Sequence, residues 1–125
     1  MLVLEDDEEL RQAWVEALAA EGYAPVAGTD AAQALAQVTE LAPDLILLDL
    51  VLPGEMNGFE FLARLRATPG VAQIPVLIVS ALGEELERAM DRRGRTALGV
   101  AGIVPKPVDV PTLIGAVRQA IGPPR

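Results

Sequence analysis

The sequence predicts an α/β fold in which five strands form one parallel sheet of order 2-1-3-4-5, doubly wound with five helices. Three observations predict it. Short apolar runs alternate with segments of helical periodicity along the whole chain, the pattern of a sheet covered on both faces. The runs are continuous rather than alternating, as strands buried on both sides require. Polar residues stand just past the ends of several runs, where an open sheet of this kind forms its crevice. Right-handed crossovers then favour the doubly wound arrangement.

The elements follow in order. Leu2-Val3-Leu4 is the first strand. Leu10, Trp14, Ala17 and Leu18 recur at helical spacing after it, with Asp6 or Asp7 placed to cap the helix and Gly22 to end it. A short second strand is expected around Ala24–Ala27, and Thr29 or Asp30 caps a helix carrying Ala34, Leu35 and Val38. Pro43 separates that helix from the third strand, Leu45 to Leu48. A loop from Leu50 to Asn57 contains Pro53 and Gly54, and Gly58 to Ala67 is helical with Phe59, Leu62 and Leu65 on adjoining faces.

Pro69-Gly70 turns the chain into a fourth strand, Ile74 to Val79. One polar helix is expected from Gly83 to about Ala97, with Gly94 weakening its last turn by about 1 kcal/mol relative to Ala. Ala101 to Val104 is the fifth strand. Val110, Leu113, Ile114, Val117 and Ile121 make the apolar stripe of a last helix capped by Asp109. Residues 1–122 are expected to be one domain, and 123–125 a tail or the start of a linker.

Composition narrows the chemistry. The core must be aliphatic, because 51% of residues are hydrophobic and only 3% aromatic. A formal charge of −8 argues against direct nucleic-acid binding, which wants a clustered basic patch; Arg92-Arg93 with Arg95 reads as a solvated helix end. With no cysteine and no histidine, disulfides, thiolate zinc sites and the commonest general base are excluded. A bound metal must be a hard cation on oxygen ligands, Mg²⁺ or Ca²⁺. No apolar run approaches a membrane span, so a soluble, cytoplasmic protein is expected.

The crevice collects the chemistry. Strands one and three are neighbours in this order, and Glu5-Asp6 and Asp49 follow them directly. Two carboxylates about 4 Å apart repel by about 4 kcal/mol at an effective dielectric near 20. Such a cluster demands protons or a cation, and Mg²⁺ suits it because it takes a few carboxylates, keeps waters and accepts phosphate oxygens. A carboxylate is also a nucleophile in phosphoryl transfer. Asp49 is the central candidate, with Lys106 to neutralise charge on the transferring group and the Ser80 hydroxyl to bond a phosphate oxygen.

This set resembles the receiver domain of bacterial two-component response regulators, over essentially the whole chain. The family's acidic pair matches Glu5 and Asp6, its phospho-accepting aspartate Asp49, its switch Ser/Thr Ser80, and its Lys-Pro pair Lys106-Pro107. The resemblance implies a flavodoxin-like receiver fold and a Mg²⁺ ion held by an acid of the pair, Asp49 and the backbone carbonyl of Val51. It implies a sensor histidine kinase or a histidine phosphotransfer protein as phosphoryl donor. It also implies output through the fourth helix, fifth strand and last helix, toward a downstream protein, an effector domain or a phosphorylation-dependent homodimer. Beyond its own phosphorylation and dephosphorylation the domain is not expected to be an enzyme.

Several residues depart from the family pattern. Gly54-Glu55 stand before Met56-Asn57-Gly58, one residue more than usual, which should bulge the loop beside the site. The stretch from Ser80 to Lys106 is about one helical turn longer than usual. The aromatic switch position is Ile103, so a gating ring is absent, and Pro105 precedes Lys106, whose bond to Pro107 is typically cis in the family. Val51 and Leu82, two residues after Asp49 and Ser80, cannot hydrogen-bond an attacking water, so slow self-dephosphorylation is expected. Ala81 leaves a donor room to enter. The competing reading is a pseudo-receiver, a constitutive interaction module that takes no phosphate.

Overall fold

The computed structural model describes residues 1–52 and 54–124. Five parallel strands form one sheet of order β2-β1-β3-β4-β5, as the sequence predicts. They are β1 (Leu2–Leu4), β2 (Val26–Gly28), β3 (Ile46–Leu48), β4 (Val76–Ser80) and β5 (Val100–Pro105). The helices are α1 (Glu8–Ala20), α2 (Ala31–Leu41), α3 (Gly58–Arg66), α4 (Gly83–Ala89), α5 (Arg92–Leu98) and α6 (Val110–Ile121). Among the described residues no helix is long and apolar enough to cross a membrane.

Short polar side chains set where most of these helices begin. Asp7, Asp30, Asn57, Asp91 and Asp109 each accept a hydrogen bond from the backbone N–H three residues on, at 2.8–3.1 Å. Each thereby satisfies a donor that a helix start leaves unpaired. Asp7 rather than Asp6 therefore caps α1, and Asp30 rather than Thr29 caps α2.

The same device corrects the expectation of a single helix from Gly83 to Ala97. Met90 turns extended, and Asp91 starts α5 by accepting from the Gly94 N–H. An aspartate inside a helix competes for backbone groups in this way, so five expected helices become six. Smaller expectations also shift, and the fourth strand runs from Val76 to Ser80 rather than from Ile74 to Val79. The second strand lies at Val26–Gly28, and Phe61, not Phe59, joins Leu62 and Leu65 in the core, leaving Phe59 half exposed.

Successive strand residues point to opposite faces. Leu2, Leu4, Ile46, Leu48, Val76 and Ile78 pack under α2 and α3. Val3, Leu47, Leu77 and Val79 pack against Trp14 and Leu18 of α1 and Leu113, Ile114 and Val117 of α6. Full burial holds for β1, β3 and β4; β2 and β5 are the sheet edges and stay partly exposed.

Register positions the crevice. Leu4 pairs with Leu48, Leu48 with Ile78, and Ser80 with Pro105. The residues leaving β1, β3 and β5, namely Glu5, Asp49 and Lys106, therefore emerge at one edge.

Candidate functional site

Each site residue hangs on a last rung of the sheet. Asp49 N–H donates to the Leu4 carbonyl at 3.1 Å, Glu5 N–H to Gly28 at 3.3 Å, and Lys106 N–H to Ser80 at 2.9 Å. Such bonds fix side-chain origins far better than a loop does. Two glycines complete the scaffold by their lack of a side chain. A Cβ on Gly58 would stand 2.5 Å from the Asp49 carbonyl oxygen, and one on Gly83 would stand 2.6 Å from Pro105 Cα. The starts of α3 and α4 can thus press directly on the backbone that carries Asp49 and leads to Lys106.

The lysine bridges two acids. Its ammonium donates to Glu5 Oε1 and, at 2.8 Å, to Asp49 Oδ2. Glu5 and Ser80 are fully buried and Asp49 is 5% exposed, whereas Asp6 faces solvent. The other oxygen of Asp49 accepts from the Val51 N–H at 3.0 Å, and Arg11 donates to the Glu5 carbonyl at 3.0 Å.

Electrostatics follow from this packing. Burial pushes the Glu5 carboxyl above the usual carboxylate range, opposed by the hydrogen bond and charge of Lys106. For Lys106, burial disfavours the charged form, but the bonds and charges of Asp49 and Glu5 outweigh it and the net shift is upward. The lysine is therefore an ammonium throughout the physiological range, and a point charge of that kind suits phosphate.

Glu5, Asp6 and Asp49 each offer a carboxylate oxygen, the three lying within 4.8 Å of one another. Three carboxylates against one ammonium leave a formal charge of −2. An all-oxygen set of that charge fits a hard divalent cation. Asp6, exposed and without a lysine partner among the described bonds, is the acid free to take it.

The remaining residues fall around this centre. The Ser80 hydroxyl accepts from Leu82 N–H at 3.3 Å. Val51 is 56% exposed, and Ala81 and Leu82 are also exposed. Ile103 is half-buried against the α2–α3 side of the core. The Lys106-Pro107 bond is cis. Pro53, in the lengthened loop, lies outside the described residues. Sequence reasoning missed two neighbours on α1, Arg11 and Trp14, whose indole ring has the Lys106 ammonium 5.6 Å from its centroid. The signal available was the single tryptophan of the chain, placed two turns into the helix that follows the acids.

Comparison with known proteins agrees with this geometry. The family model for the response regulator receiver domain matches residues 1–118. The chain is 36% identical over 119 residues to the phosphate regulon transcriptional regulatory protein PhoB of Rhizobium meliloti, covering 95% of this chain and 50% of that protein. It is 36% identical over 121 residues to the DNA-binding response regulator MtrA of Mycolicibacterium smegmatis, covering 97% and 50%. The chain thus spans about half the length of the curated relatives it matches. The non-phosphorylated HemR receiver domain of Leptospira biflexa superposes with a TM-score of 0.82 at 28% identity, over 99% of this chain and 94% of that one.

Proposed function

The chain belongs to the response regulator receiver domains, and from that premise we propose that it accepts a phosphoryl group on Asp49 from a phosphohistidine. The donor imidazole lies outside these residues, which contain no histidine, and membership of the family points to a sensor histidine kinase or a histidine phosphotransfer protein as its carrier. An Asp49 carboxylate oxygen attacks phosphorus, the new O–P bond forms, and the P–N bond to the donor imidazole breaks. The observation that carries this reading is the Lys106 ammonium 2.8 Å from Asp49 Oδ2 at the mouth of the sheet. It stands where charge develops on the transferring group, already oriented and partly shielded from water.

Glu5, Asp6, Asp49 and the Val51 carbonyl would hold the Mg²⁺ ion, which draws negative charge from the phosphoryl oxygens when bound. Ser80 supplies a hydroxyl to a phosphoryl oxygen by leaving its contact with Leu82 N–H. Val51 and Leu82 line the approach with apolar groups, so attacking water finds no side-chain partner and the phosphoryl group persists well beyond seconds. The domain catalyses only these steps on itself. Its output passes through the face formed by α4, β5 and α6, without an aromatic gate because Ile103 takes that position. The receiving surface belongs to an attached effector domain or a separate cytoplasmic protein.

Intact-mass spectrometry after incubation with acetyl phosphate tests this reading. A gain of one phosphoryl group that needs Mg²⁺ and is lost in Asp49→Asn is expected, and Val51→Asn or Leu82→Glu should shorten its lifetime. No gain with acetyl phosphate or phosphoramidate would instead make the chain a constitutive interaction module.

A further inference from the structure

We propose that Trp14 is a positioning residue for this transfer, its indole face seating the Lys106 ammonium between Glu5 and Asp49. The inference rests on the phosphoryl-acceptor reading and goes beyond it to a residue on α1 outside the acid, serine and lysine set. Trp14 is 3% exposed and fixed in the core beside Leu18, Val104, Leu113 and Val117. Its ring is therefore a rigid wall rather than a mobile side chain. The ammonium lies 5.6 Å from the ring centroid, inside the roughly 6 Å over which a ring quadrupole attracts a cation. Lys106 is half-buried and both its acid partners are buried, so little water screens the attraction.

The chemistry of the reaction gives such a seat a purpose. During transfer the ammonium must exchange a carboxylate oxygen for a phosphoryl oxygen. A carboxylate partner holds it at one point and resists that exchange. An aromatic face attracts the charge without a directional bond, so it keeps the lysine at the mouth of the site while its N–H groups change partners. The stem of Lys106 and the ring also share one wall of an apolar cavity of about 310 Å³, with Leu10, Ala81, Pro107 and Val108. The seat therefore borders a surface cavity beside the Lys106-Pro107 turn.

The test combines a spectrum and a rate. A ring stacked on the lysine shifts its ε-methylene proton resonances upfield in the NMR spectrum of the wild-type chain. That shift is expected to shrink in Trp14→Phe and vanish in Trp14→Leu. With phosphoramidate and Mg²⁺, Trp14→Leu should lower the maximal phosphorylation rate about fivefold with the half-saturating donor concentration unchanged, while Trp14→Phe keeps most of it. Trp14→Met serves in place of leucine where that variant fails to give a cooperative thermal melt. Lysine ε-protons without an upfield shift in wild type, or a folded leucine or methionine variant as fast as wild type, would overturn the seat and leave the acceptor reading intact. A wild-type chain that shows the ring shift but takes no phosphoryl group would instead overturn the acceptor reading, and the catalytic purpose of the seat with it.

Discussion

The two helical segments that flank the β4–β5 side of the sheet are held in opposite ways. Helix α6 drives Leu113, Ile114 and Val117 into the core. The α4–α5 segment is of similar length, yet α5 buries no residue and α4 only Gly83. Leu86 and Met90 are only partly buried against the core. Both α5 and α6 start on a capping aspartate, so capping does not separate them. Area removed from water does, at roughly 25 cal/mol per Å². The lightly held segment is also the one whose first residue presses on Pro105, next to Lys106. Segments that open at low cost are those that moving regions are drawn from, so local opening is expected in α4–α5 before α6.

The largest expected effect separates the two by truncation. Leu113→Ala should cost about 2–5 kcal/mol, since it empties a fully buried site. Leu86→Ala, at a half-buried position, should cost less than about 1.5 kcal/mol. Urea unfolding of both variants measures this, and native-state hydrogen exchange should open α4 and α5 well before α6. Equal costs would remove the distinction.

A second effect concerns what holds α5 at its far end. The Arg66 guanidinium, at the end of α3, donates to the carbonyls of Leu98, Ala72 and Gly99. Burial lowers its pKa, though an arginine so placed stays charged at any pH the fold survives. Hydrogen bonds from a charged group contribute about 1.5–3 kcal/mol, so Arg66→Met should cost about 2 kcal/mol. Exchange should quicken in α5 and the turn into β5, leaving α6 unchanged. Fraying that spread to α6 would show the two segments to be one cooperative unit.

How much of this was legible depends on the range of the interactions. Strands β1, β3 and β4 were, because burial on both faces leaves an uninterrupted apolar run. The caps of α1, α2 and α6 were, because a cap acts over three residues. The meeting of Glu5, Asp49 and Lys106 was legible only through topology: strand order and register carry residues 101 positions apart to one edge. The break at Met90–Asp91 was missed because a polar segment has no apolar stripe to fix its axis, so one aspartate decides it. The unequal burial of Glu5 and Asp6 was not legible either, since both adjoin the same strand and differ only in direction. Trp14 read as a core residue, and it is one; what it stands beside depends on how α1 packs on the sheet and against α6.

The smallest expected effect asks whether α6 is anchored by its cap or by its core. Hydrogen bonds from the Thr112 hydroxyl and backbone N–H hold the Asp109 carboxyl below its ordinary range. A group depressed in the folded state adds stability that is complete above its unfolded pKa, and that stability is lost as pH falls through the folded value. The contribution should therefore be whole above about pH 5 and drain away below about pH 4. Asp109→Asn keeps an oxygen to accept from Thr112 but cannot titrate there. The stability difference between wild type and this variant should fall toward zero with acid and be weakened by salt, because the side chain is fully exposed. The Leu113 and Val117 amides should remain protected through that titration, because core packing survives protonation of the cap. If α6 frayed as Asp109 took up its proton, its anchor would be the cap, which α5 shares, and the unequal burial of the two segments would no longer explain why one is fixed and the other free.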